Sequence, residues 1–113
     1  MTPETFDATC RSLPGATMDV QWGDDHVYKV GGKMFAVTSP RGGCSFKCSD
    51  IAFEVLTEGG VGRPAPYLAR ARWVYLDTLD AMTDADLAAH LATAHALVAA
   101  KLTRAQKREL GLA

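Results

Sequence analysis

The side chains best suited to chemistry in this chain are its cations, and the chemistry they suit is the binding of phosphate. Lysine and arginine neutralise phosphate oxygens and supply most of a protein's affinity for nucleic acid. The candidates fall into three groups. Arg63, Arg70 and Arg72 sit in or beside a segment broken by Gly62, Pro64 and Pro66. Lys101, Arg104 and Arg108 follow one another at near-helical spacing, with Lys107 off to the side. Lys29, Lys33, Arg41 and Lys47 flank the two Gly-Gly turns. The competing reading of all three groups is ordinary solvated charge, and basic residues in a helix's last turn also suit its dipole. Trp73 is a stacking candidate, because a base can lie on an aromatic face. A tryptophan at the start of a strand is more often core or a lid over it, and Trp22 reads the same way.

The remaining reactive residues do not assemble into a catalytic or metal-binding set, and no cofactor is expected. His90 lies four residues after Asp86 and shares its helix face. His95 comes five residues later, about 500° around the axis, on another face. There is no HExxH pattern, and both read as surface or salt-bridged histidines. His26, beside Asp24 and Asp25, is expected at a turn surface. Cys10, Cys44 and Cys48 are odd in number and form no CxxC pair, which indicates reduced thiols in a cytosolic protein. Cys44 and Cys48 share a strand face but lie about 13 Å apart, so both are expected to fill core space. Asp77, Asp80, Asp84 and Asp86 have turn and capping roles. Gly31-Gly32 and Gly42-Gly43 belong to hairpins, not to a phosphate loop ahead of a helix.

Composition narrows the field. The chain has 113 residues, 48% hydrophobic and 22% charged, which is the balance of a globular protein and not of a disordered one. The net charge is −1, so any polyanion site must be a local patch. The first residues lack a basic region followed by an apolar run. The longest apolar stretches fall far short of the roughly 20 residues that span a bilayer. A cytoplasmic protein without membrane attachment is expected.

These side chains must be carried by a short series of elements. Thr2-Pro3-Glu4 starts a helix, with Phe6, Cys10 and Leu13 on one face and Pro14-Gly15 at its end. Met18 to Trp22 alternates weakly and suits a strand. His26–Val30 and Lys33–Ser39 are rich in β-formers and joined by Gly31-Gly32, a type I′ hairpin signal. On the second of these, Phe35 and Val37 are expected on one face and Met34, Ala36 and Thr38 on the other. Pro40 to Gly43 turns the chain into a third strand, Cys44 to Cys48. Ser49-Asp50 caps a helix whose apolar stripe is Ile51, Ala52, Val55 and Leu56, stopped by Gly59-Gly60. Val61 to Arg72 reads as a loop, and Trp73 to Asp77 as a short strand. Thr83 to Asp86 is a capping box opening the longest helix, whose core stripe is Leu87, Leu91, Ala94, Val98 and Leu102. A last helical piece follows. The expected fold is α+β and two-layered: an antiparallel meander with helices packed on one face, in one domain spanning residues 1–113.

Several pieces of sequence, in order, are shared with a known family. They are Leu13-Pro14-Gly15, then Tyr28-Lys29-Val30-Gly31-Gly32-Lys33-Met34-Phe35-Ala36, then Phe46-Lys47-Cys48-Ser49. Pro66-Tyr67 leading to Trp73 and the block Leu97-Val98-Ala99-Ala100-Lys101-Leu102 complete the set. With these the chain resembles the MmcQ/YjbR family of small bacterial proteins. The resemblance implies a fold similar to that of bacterial frataxin and DNA binding through a double wing, with the basic hairpins as the wings. This sequence departs from the family pattern around the tryptophan. Arg70-Ala71-Arg72 stands where a lysine is usual, and Val74 replaces an asparagine. Ala94-His95 replaces Ser-Tyr. The iron chemistry of frataxins does not carry over, because their first helix presents an acidic ridge and this one has only Glu4 and Asp7. Two functions are therefore expected to compete. One is a monomeric, non-enzymatic DNA-binding protein of weak sequence specificity. The other is a protein- or small-ligand-binding module whose cleft, along Val61–Trp73, has Trp73 and Tyr67 as walls.

Overall fold

The structure, a computed structural model, describes residues 1–66 and 68–112. Helix α1, Pro3–Arg11, begins where the Thr2 hydroxyl accepts the Thr5 amide at 3.0 Å, and it buries Phe6 and Cys10. The chain then builds a six-stranded antiparallel sheet from β1 (Ala16–Gln21), β2 (Asp25–Val30), β3 (Lys33–Thr38), β4 (Cys44–Lys47), β5 (Arg63–Pro64) and β6 (Trp73–Leu76). The spatial order is β1-β2-β3-β4-β6-β5. Three helices complete the chain: α2 (Asp50–Glu58), α3 (Asp84–Ala99) and α4 (Arg104–Glu109). No helix among the described residues is long and apolar enough to cross a membrane.

The β2–β3 hairpin turns on Gly31 and Gly32, at φ +59° and +79°. Positive φ at both central residues is what a type I′ turn requires, and glycine meets it without steric cost. Beyond the turn the strands depart from strict alternation. Lys29 pairs with Met34 but Tyr28 pairs with Ala36, which leaves Phe35 as an extra residue. This bulge turns Phe35 and Ala36 into the core together and puts Val37, expected beside Phe35, on the opposite face.

Register places Met18, Tyr28, Ala36, Phe46 and Val74 in one row across the sheet. This row faces α1 and α3, and its members belong to the core or pack against it. Leu87 and Leu91 of α3 are fully buried against it, each contributing roughly 1.5–3 kcal/mol by leaving water. The expected two-layer α+β arrangement is present.

Four local expectations are corrected. Val61–Arg72 is not simply a loop: Arg63 and Pro64 pair with Tyr75 and Val74 as β5, and Ala69–Ala71 forms a 3-10 turn. In α2, Leu56 is buried but Ile51 and Val55 are 77% and 64% exposed, because the helix lies over a sheet edge only two residues long. Trp22 is not core: it stands 63% exposed in the β1–β2 turn with φ +50°. His95 is not at the surface. It is buried, with Nε2 at 2.7 Å from the Pro14 carbonyl and its ring edge-on to Phe35.

Candidate nucleic-acid interface

Strand register gives the sheet two distinct ends. At one end lie the β2–β3 turn, the end of β4, the start of β6 and the end of α3. At the other lie the β1–β2 turn, the β3–β4 turn and the start of α3. The predicted cations divide between them.

At the first end, cations from distant parts of the sequence approach one another around Lys47. This lysine ends β4, is half-buried, and donates from Nζ to the Ala71 carbonyl. Desolvation lowers the pKa of its ammonium; the neighbouring charges of Lys101 and Arg72 lower it further, and Asp50 opposes them. Arg72 sits in the left-handed region at φ +62°, a conformation that costs a non-glycine residue about 1–2 kcal/mol. It is held there by its amide on the Ala69 carbonyl at 2.9 Å and by the Cys48 amide on its own carbonyl at 2.8 Å. Its guanidinium reaches Asp50 at 2.9 Å and lies 5.4 Å above the Phe53 ring.

Lys101 follows the last turn of α3, and Leu102 ties that turn to the hairpin. A Cβ on Gly31 would stand 2.6 Å from Leu102 Cδ2, so the glycine is needed for close packing as well as for its φ. This contact brings Lys33, at the exposed hairpin tip, to the same end as Lys101. Helix α4 follows, opened by a reciprocal capping box between Thr103 and Gln106, and Leu110 packs on Gly15 at the start of β1. Arg104 and Arg108 are exposed there, and Arg70 is exposed on the 3-10 turn.

The other candidates are not part of this gathering. Arg41 lies in the β3–β4 turn, at the opposite end of the sheet, so the two expected wing tips do not form one surface. Arg63 stands opposite Tyr75 in β5, away from the start of β6, and reaches toward the other end: it pairs with Asp77 at 2.7 Å and lies 4.9 Å above the Tyr75 ring. Lys29 bonds Asp19 across the strand pair at 3.1 Å. Trp73 is only 4% exposed, which leaves no open ring face for a base. Val74 is fully buried in the core. Tyr67, the other expected cleft wall, lies outside the described residues.

A family model described as YjbR matches residues 11–97. This chain belongs to the YjbR family. A crystal structure of Deinococcus radiodurans protein DR2400, described as a DUF419 domain, is similar over 99% of this chain and 89% of that one, at 25% identity and a TM-score of 0.87. No curated protein matches the chain. The matched region of this YjbR chain includes the Gly31-Gly32 hairpin of the basic end, whereas Lys101 and Leu102, which meet it from the end of α3, lie beyond residue 97. The Pro14 carbonyl of the Leu13-Pro14-Gly15 piece is the one bonded to His95.

The thiols are not arranged for reactivity. All three are buried, and burial pushes Cys44 up to about 12 and Cys48 to about 11, with Cys10 raised still further. A thiol at such values is almost wholly protonated at neutral pH and is a poor nucleophile. Sequence reasoning missed the acids that engage the cations, Asp50 for Arg72 and Asp77 for Arg63. Asp50 was legible only as a capping neighbour of Ser49, and its contact with Arg72 crosses 22 residues.

Proposed function

We propose that this YjbR-family chain is a non-enzymatic, cytoplasmic DNA-binding protein that acts as a monomer and grips the phosphate backbone with little sequence preference. The observation that carries this reading is the gathering of Lys33, Lys47, Arg72 and Lys101 at one end of the sheet. Arg70, Arg104 and Arg108 are exposed on the adjoining elements and add to the positive charge of this end. Lys47 and Lys101 repel each other without a bound anion, so a phosphate between them relieves a cost already present in the free protein. The role matches the one implied by the MmcQ/YjbR resemblance. It reassigns the contacts: Lys29, Arg41, Arg63 and Trp73 leave the interface, and Lys47 becomes its centre.

The test is a salt titration of binding to labelled duplex and single-stranded DNA, followed by fluorescence anisotropy. Binding is expected at low salt and should weaken steeply as salt rises, with a slope set by the number of phosphates neutralised. Absence of any anisotropy change with either DNA at low salt sinks the proposal.

A further inference from the structure

The opposite end of the molecule holds a cavity of about 430 Å³ between α1 and the ends of β1, β2 and β3. That volume lies in the range of small-molecule sites. Met18, Leu79, Pro3 and Pro40 line it, enough apolar wall to cover a hydrocarbon ring. From this geometry we propose that the cavity binds a small amphipathic amine, with its ammonium against α1 and its apolar body on Met18 and Leu79. The site is independent of the phosphate-binding end and uses none of its residues.

The choice of a cation follows from the charged groups that line the cavity. Glu4 and Asp7 are three residues apart on α1, so they stand one turn above the other on the same face. Arg11 also lines the space, but its Nε donates to both Asp7 oxygens at 2.9 Å. These two charges largely cancel. Glu4 has no ion pair among the described residues, so the lining carries a negative excess. The surroundings act in the same direction: Asp24, Asp25, Asp80 and Asp84 lie at this end of the sheet and outnumber its cations, Arg41 in the β3–β4 turn and the Met1 ammonium, which pairs with Asp80 at 2.8 Å and Asp84 at 2.9 Å. Such a field raises the local concentration of cations and repels carboxylates. Polar acceptors for an ammonium are close by: the His26 ring and the hydroxyls of Thr38 and Ser39 also line the cavity. The Tyr28 hydroxyl donates to Asp7 Oδ1 at 2.7 Å. It fixes the carboxylate from beneath, so that an incoming amine meets a group already in place.

Three matched probes test this: phenethylamine, 2-phenylethanol and phenylacetate, titrated into the full chain labelled with ¹⁵N and followed by amide chemical shifts. Phenethylamine is expected to move the amides of Asp7, Met18, His26 and Ser39 saturably, with a dissociation constant of about 1 mM or tighter. The alcohol and the acid should bind at least about tenfold more weakly, a difference of roughly one full ionic contact at a partly exposed site. Glu4→Gln changes an exposed side chain that makes no ion pair among the described residues, and it should weaken the amine about threefold without altering the fold. The proposal is overturned if the amine gives no saturable shift, if phenylacetate binds as well as phenethylamine, if the shifts centre on other residues, or if Glu4→Gln leaves the affinity unchanged.

Discussion

The β2–β3 turn and the β1–β2 turn close adjacent hairpins of one sheet, and they are built in opposite ways. At the first, Gly31 is pressed onto Leu102, and cations from β4, the 3-10 turn and the end of α3 meet around Lys47. At the second, a Cβ on Gly23 would touch nothing within 4 Å, Trp22 stands exposed, and the neighbouring charges are the acids Asp24 and Asp25. The contrast explains how a chain of net charge −1 can carry a locally basic surface. The molecule measures 39 × 28 × 27 Å, whereas screening at physiological ionic strength limits exposed charges to about 8 Å. A phosphate at one end therefore experiences the local cations and little of the acids beyond them. Net charge is a sum over the surface, and binding depends on its distribution.

Charge reversal should separate the two ends most strongly. Replacing Lys47, Arg72 and Lys101 together by glutamate is expected to reduce affinity for DNA at low salt by at least about 100-fold and to flatten its salt dependence. The same assay on Asp24→Lys should show unchanged or slightly tighter binding. Equal losses from both proteins would erase the distinction between the ends.

The glycines should differ next. Gly31→Ala adds a methyl group into Leu102 at a residue with positive φ, and a loss of roughly 2–3 kcal/mol in denaturant unfolding is expected. Gly23→Ala meets only the backbone penalty, about 1 kcal/mol. Similar midpoints for the two variants would show that the first hairpin tip is not clamped to α3.

A smaller effect is expected at His95, where replacement by leucine removes the partner of the Pro14 carbonyl. The expected cost is about 1–3 kcal/mol if the carbonyl stays buried, and less if water reaches it. Thermal unfolding of His95→Leu beside His90→Leu measures it.

The mildest effect concerns pH at the acidic end. Burial would raise the Asp7 pKa, but hydrogen bonds from Tyr28 and Arg11 outweigh it and hold the carboxyl below its ordinary value. Its stabilising contribution is therefore complete above the ordinary carboxylate pKa and is lost as pH falls through the lowered one. Tyr28→Phe should move the Asp7 titration upward, observed directly by NMR. An unmoved titration would show that Arg11 alone accounts for the lowered value.

Much of the architecture was legible along the chain because its causes are local. Thr2, Ser49 and Thr83 cap their helices, the Gly31-Gly32 pair makes a tight turn, and Leu87, Leu91, Ala94 and Val98 repeat at helical spacing into the core. The Phe35 bulge was not legible, since strict alternation has no means of signalling an unpaired residue. Nor was β5, because Gly62, Pro64 and Pro66 read as loop and a two-residue edge strand exists only through its pairing with β6. The site was legible as a list of cations but not as a place. Arg41 and Arg63 are as basic as Lys47 and Lys101, and only strand order and register separate them.

The amino-acid sequence by itself determined the four helices, the strands other than β5, most of the apolar core, and membership of the YjbR family. These follow from propensity, periodicity and capping, which act over a few residues. The tertiary structure alone decided that Lys47, Arg72 and Lys101 are neighbours, that Arg41 stands at the other end, and that α1 leaves a cavity beside the acidic turn. Those relations depend on the antiparallel register of strands far apart in the chain and on Leu102 closing over Gly31. Such packing is settled when distant apolar surfaces are buried together, and no local pattern encodes it.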